Sequence, residues 1–293
     1  MRQRVIDWRS VVVAATLVLS LGGSARAQCT SHTVRGAWAF QGQGTALMAV
    51  PGSPAPMPVP FVSLGTMRID GQGRYTGSGT ISIGGQVQDA AFSGSFEVNP
   101  DCTAVETGTV GPLQSAGRLV ILDNGNEMRE LPTTHPLGPV TELAHFRRIS
   151  WGEPRCRPDT VRGVYGGSGA GMFMVPVPGQ PAPVPTPFAG IFTMVFDGNG
   201  TGTGTATASM AGGIADVEFA EMSMTVNRDC TATLDYRGTV EQAPGQVFSG
   251  TIKYVVLDHG NELLGMEVVS SVGLPIELEH HRRIAPTPAR HHR

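Results

Sequence analysis

The chain has 293 residues, with 39 glycines, 22 prolines, 6% aromatic residues and a near balance of 21 basic and 24 acidic groups. Low aromatic content with abundant glycine and threonine describes short strands and tight turns, an all-β composition. Lys253 is the only lysine and no basic stripe exists, which argues against nucleic acid as a partner.

Arg2, Arg4 and Arg9 precede the apolar run Val11 to Leu21, and Ala25-Arg26-Ala27 follows it. That pattern predicts a secretory signal over residues 1–27, cleaved before Gln28, and a secreted or periplasmic destination. The apolar run is too short for a comfortable membrane span, and no later segment offers one. Gln28 before Cys29 argues against a lipoprotein. Removing four arginines and Asp7 leaves 17 basic and 23 acidic residues, a net charge of about −6.

The remaining chain is a duplication. The proline run VPGSPAPMPVPF, Val50 to Phe61, returns as VPGQPAPVPTPF, Val177 to Phe188. TVRG at Thr33 and Thr160 and the turns at Asp70 and Asp197 are 127 residues apart; Asn99 and Asn227 are 128 apart; Asp123 and Asp258 are 135 apart. The second copy has therefore gained seven residues between its last two landmarks. The expected organisation is module 1 over 28–149, a linker over 150–155, module 2 over 156–284 and a tail over 285–293.

Turn signals divide module 1 into about eight strands, near 35–48, 61–69, 74–83, 87–98, 103–110, 117–122, 127–131 and 140–149. The proline run between the first two reads as an extended loop, since proline lacks an amide donor. Asn124-Gly125 predicts a type I′ hairpin. Phe61, Gly65, Met67 and Ile69 share one face of the second strand, and Phe188, Phe192, Met194 and Phe196 repeat it. Eight antiparallel strands must close or stack to hide their edges, so two tandem up-and-down β-barrels are expected, with β-sandwiches as the alternative.

An up-and-down order places Cys29 and the turn at Asn99 to Cys102 at one end. It therefore selects Cys29–Cys102 and Cys156–Cys230 from the three pairings that four cysteines allow, and an extracytoplasmic setting permits both bonds. The proline run, Gly84-Gly85, the loop near 111–116 and Pro132 to Pro139 fall at the opposite end, where a barrel has its mouth.

The last strand carries the most informative polar pattern. Leu143, His145, Arg147 and Ile149 share a face, as do Leu278, His280, Arg282 and Ile284. With leucine and isoleucine inward, the histidine and arginine are inward too. Glu127 and Glu262 start the preceding strand and should oppose Arg147 and Arg282, while Arg35 and Arg162 begin the neighbouring first strand. These eight residues form either an ion-pair plug at the disulfide end or an anchor for a carboxylate or enolate at a cavity floor. The Asp-x-Gly-Asn-Glu turns at Asp123 and Asp258 fit hairpin chemistry better than calcium, so no metal is expected. No hydrolase elbow, zinc motif, dinucleotide fingerprint or C-x-x-C occurs, so no cofactor is implied.

The repeated T-V-R-G, D-G-x-G, N-x-D-C-T, D-x-G-N-E and R-R-I landmarks resemble a group of secreted bacterial β-barrel repeat modules, over Cys29 to Ile149 and Cys156 to Ile284. That resemblance implies a barrel fold and brings no activity. At the level of architecture the chain is also similar to lipocalins and to allene oxide cyclase and dirigent barrels, which bind apolar molecules or steer cyclisation. The expected partner is a small apolar or amphipathic ligand. A cofactor-independent isomerase or cyclase, and a structural or envelope-interaction protein, are the other readings.

Overall fold

The computed structural model describes residues 28–49, 55–179, 183–243 and 245–285. The predicted signal, the residues beyond Ala285 and the tips of both proline runs lie outside these.

The described residues build two closed antiparallel barrels of eight strands. Around the first run β1 (Gly36–Met48), β2 (Met57–Ile69), β3 (Arg74–Ile83), β4 (Gln86–Val98), β5 (Thr103–Val110), β6 (Leu113–Leu122), β7 (Glu127–Thr134) and β8 (Val140–Ser150). The second contains β9 (Arg162–Val175), β10 (Val184–Asp197), β11 (Thr201–Met210), β12 (Gly213–Val226), β13 (Thr231–Val240), β14 (Val247–Leu257), β15 (Glu262–Ser270) and β16 (Leu274–Ala285). Each strand pairs with its sequence neighbours, and β8 returns to β1 as β16 returns to β9. Closure leaves no unpaired sheet edge, which is why so many short, glycine-rich strands are stable together.

The seven added residues of the second copy are distributed simply. The two-residue turn Gly111-Pro112 becomes the six-residue connection 241–246, β13 is two residues longer than β5, and β14 is one longer than β6. The growth is thus at the mouth.

The proline run is only partly a loop. Met57 to Pro60 continue β2 against Met48 to Thr45, and Val184 to Pro187 continue β10 against Val175 to Met172. Proline is tolerated because of its parity in the ladder. The Pro60 carbonyl accepts from Gly84 N–H and the Pro187 carbonyl from Ala211 N–H, so both ring nitrogens face the side away from the hairpin partner. There the third strand has already turned away and no donor is needed.

The Asn-Gly turn also differs from a two-residue type I′ hairpin. Leu122 pairs with Glu127, and Asp123, Asn124 and Gly125 all have positive φ (47°, 52° and 84°) within a four-residue turn. Gly125 lies so close to the Thr33 carbonyl that a Cβ would collide with it, and Gly260 stands in the same relation to Thr160. Glycine is required there both for φ and for this approach.

Cys29 bonds Cys102 and Cys156 bonds Cys230, with Cα atoms 4.9 and 5.0 Å apart, and no free cysteine occurs among the described residues. Both bonds lie at the base, opposite the mouth. Among the described residues no helix is long and apolar enough to cross a membrane.

The barrels pack side by side. Ala39, Val62 and Leu64 of the first meet Val255, Leu264 and Met266 of the second in a buried apolar plate. Ser82 Oγ donates to the Pro275 carbonyl at 2.7 Å, and Lys253 Nζ reaches Asp89 at 2.7 Å and Thr80 at 2.8 Å across the junction.

Candidate functional site

The last strand of each barrel faces the opposite way from its sequence expectation. Leu143 and Ile284 are 57% and 65% exposed, whereas Glu142, Ala144 and Phe146, and likewise Glu277, Glu279 and His281, point inward. In β8 both faces carried apolar residues, so period two alone could not choose; in β16 the apolar face, Ile276 and Leu278, is the one that packs against the companion barrel. His145, Arg147, His280 and Arg282 therefore lie on the outer wall.

There they form the junction rather than a floor. Glu127 does oppose Arg147, and Glu262 opposes Arg282, in the strand register. The Arg147 guanidinium nevertheless turns to the other barrel and meets Glu262 Oε2 at 3.0 Å, while His280 Nε2 lies 2.7 Å from Glu262 Oε1 and Arg282 4.0 Å away. The bond from His280 and the neighbouring Arg147 charge hold the Glu262 carboxyl below its ordinary value. Glu127 binds Arg129 at 2.8 Å, and His145 Nε2 sits 3.2 Å from it without hydrogen-bonding geometry. Burial, then the Arg129 charge, lower His145. Arg35 and Arg162 are exposed beside the basal turns; Arg35 contributes its carbonyl, not its guanidinium, to the base.

The plug is made by the second arginine of each Arg-Arg pair. Arg148 donates to the carbonyls of Thr33, Gly125 and Arg35, with its guanidinium 4.3 Å from the Trp38 ring centre and 3.5 Å from that of Trp151. Arg283 donates to the Thr160 and Gly260 carbonyls at 2.8 and 2.9 Å and to Tyr165 Oη at 3.0 Å. Each base is thereby closed by one cation that satisfies carbonyls from separate chain segments.

Above the plugs, both interiors are hollow. Cavities of about 290 Å³ in the first barrel and about 260 Å³ in the second extend to the mouth turns. Phe40, Phe92, Phe96 and Phe146 wall the first; Phe188, Phe192, Phe219 and Phe248 wall the second. Spaces of this size and lining accommodate a small apolar molecule.

Each cavity also contains three glutamates that the sequence reading did not select. In the first barrel Glu106 accepts from Tyr75 Oη and from Ser115 Oγ, the latter at 3.3 Å. Burial, and then the Glu106 and Glu142 charges, push Glu130 up to about 8, and burial pushes Glu142 up to about 7. His135, on the loop after β7, places Nε2 3.4 Å from Glu142 Oε2 and packs its ring 5.5 Å from Phe61. Burial lowers this histidine.

In the second barrel Glu279 Oε2 accepts from Tyr254 Oη at 2.6 Å and lies 2.9 Å from His281 Nε2. Tyr236 Oη donates to Glu267, which is hydrogen-bonded in turn to Glu277. Burial and the Glu279 charge push Glu267 up to about 8 and Glu277 well above the carboxylate range. Glu277 Oε1 and His281 Nδ1 have no hydrogen-bond partner among the described residues.

Only one acid occupies the same place in both copies. Glu142 lies over Gly42 and Glu277 over Gly169, so close that a Cβ on either glycine would strike the carboxylate. The signal was present in the sequence, as a glutamate preceding Leu143 and Leu278 in the last strands and a Gly-x-Gly in each first strand. The aromatic hydroxyls, by contrast, enter from different walls. Tyr75 on β3 fills the space that Gly108 leaves, whereas the second copy has Gly202 and Tyr236 at those positions.

No protein-family model matches the chain, and the curated proteins contain no match to it.

Proposed function

We propose that this is a secreted or periplasmic tandem binding protein in which each barrel holds one small, mostly apolar ligand. The carrying observation is that both interiors keep an aromatic-walled cavity, sealed at the base and reaching the mouth. A chain that needed only stability would gain by filling such space, since voids forfeit packing contacts. The disulfides support the extracytoplasmic setting. An isomerase built on His145 or His280 has no support, because both side chains lie outside the cavities.

The test is uptake of a fluorescent apolar probe by the wild type and by two filling variants, Ala90→Trp in the first cavity and Ala208→Trp in the second. Each variant is expected to lose one site and the double variant both, with native mass spectrometry giving the stoichiometry. Unchanged uptake in the double variant would overturn the reading.

A further inference from the structure

We infer that the second barrel is selective for a small amphipathic amine, its ammonium group held at Glu277 and its apolar body among the phenylalanines above. This rests on the cavity-binding reading and adds the chemical class of the ligand.

The arrangement of charge supports it first. Glu267, Glu277 and Glu279 line one apolar space, and among the described residues no lysine or arginine side chain lines it with them. Arg283, the nearest arginine on the inward parity of β16, is committed to the Thr160 and Gly260 carbonyls and Tyr165. Other titratable groups facing Glu277 are Tyr236 from β13, Tyr254 from β14 and His281 from β16; β9 presents Gly167 and Gly169, and β10, β11 and β12 present only apolar or glycine positions.

A second, independent observation is an unmet acceptor. Glu277 is 1% exposed and lines the cavity, yet its Oε1 has no partner among the described residues. Buried polar atoms are nearly always paired, so the vacant bond belongs to a donor that enters the cavity. A carboxylate ligand would meet the Glu279 charge and find no lysine or arginine in the lining to pair with. An alcohol supplies one donor and no charge, whereas an ammonium supplies three donors and the positive charge this cluster lacks.

Burial and the Glu279 charge favour the protonated forms of Glu267 and Glu277 over their ordinary carboxylates. An arriving ammonium favours the carboxylate of Glu277, so its proton leaves to solvent as the N–H···O bond forms. Uptake of the cation is thereby coupled to release of a proton, and the buried site gains little net charge.

The experiment uses three probes of one skeleton, 2-phenylethylamine, 2-phenylethanol and phenylacetate, with the full mature chain carrying Ala90→Trp so that only the second cavity is open. The amine is expected to bind at least tenfold more tightly than the alcohol, and phenylacetate more weakly than either. Calorimetry in buffers of different ionisation enthalpy is expected to show close to one proton released per amine at pH 6.5. Glu277→Gln should weaken the amine at least tenfold and change the alcohol less than twofold; Glu267→Gln is the second variant should that one fold poorly. Equal binding of amine and alcohol, or preference for phenylacetate, would overturn the amine assignment and leave the cavity reading standing. Failure of all three, together with failure of the fluorescent probe, would overturn both.

Discussion

Arg283 satisfies two carbonyl oxygens at the base of the second barrel, while Arg282, one residue earlier, reaches outward toward Glu262. The adjacent arginines are chemically the same, and strand parity alone gives them different tasks. Arg283→Ala would leave the Thr160 carbonyl without its donor and the Gly260 carbonyl with Tyr165 Oη alone, and we expect a loss of about 1–3 kcal/mol in chemical denaturation. Arg282→Ala, at an exposed pair, should cost under about 1 kcal/mol. The interior acids set the pH response. Glu142 and Glu267 remain protonated in the barrel up to about 7 and about 8, against an ordinary value of 4.5 in the unfolded chain. The folded state therefore holds more protons across that window, so stability is greatest near pH 4.5 and falls as pH rises to about 8. Each such group contributes up to about 1.4 kcal/mol per pH unit. Glu262 has the opposite sign: its contribution is present above 4.5 and is lost as pH falls below it. Melting temperatures between pH 5 and 8 should decline, and Glu267→Gln should flatten the slope.

At the scale of the strand, legibility depended on whether one face was chemically distinct. β2 and β10 placed phenylalanine and methionine inward as their alternation indicated, because every phenylalanine and methionine of these strands fell on one parity, while the other held proline, smaller aliphatic residues, threonine and the charges Arg68 and Asp197. β8 carried apolar residues on both faces, and β16 had a distinct apolar face, Ile276, Leu278 and Ile284, that turned out to be the outer one. Ile149 and Leu278 are apolar on the outer side because that side packs against the companion barrel, information no single strand contains. The proline segments misled for a related reason: a missing donor matters only on the side where a ladder bond would form. Pro60→Ala is accordingly expected to change stability by less than about 1 kcal/mol. Val62 has the same parity as Pro60 but opposes Ser82 of β3, and Val62→Pro should cost about 3 kcal/mol or more. Urea titration of the two variants checks the contrast.

In the whole molecule, two barrels that resemble each other in sequence are joined by an interface that neither copy predicts. Val62 and Leu64 of the first barrel pack against Leu264 and Met266 of the second, and Arg147 of the first pairs with buried Glu262 of the second. The expected consequence is one cooperative unit. Proteolytic cleavage within 150–155 should leave the barrels eluting together in size-exclusion chromatography, whereas Met266→Asp with the same cleavage should separate them, since an unpaired carboxylate would be buried in an apolar plate. Elution of the cleaved wild type as two species would contradict the interface.

The sequence by itself determined the duplication, the all-β class, the up-and-down order, the disulfide pairs and which end is the mouth. These depend on periodicity, turn chemistry and chain connectivity, all local along the chain. Tertiary structure alone decided that the sheets close as barrels, which arginine of each pair seals the base, which glutamates enter the cavities, and that His145, Arg147, His280 and Arg282 lie on the wall at the junction. Those outcomes depend on which face of a two-sided strand meets a neighbour, and on glycines from a strand distant in sequence making room for a carboxylate.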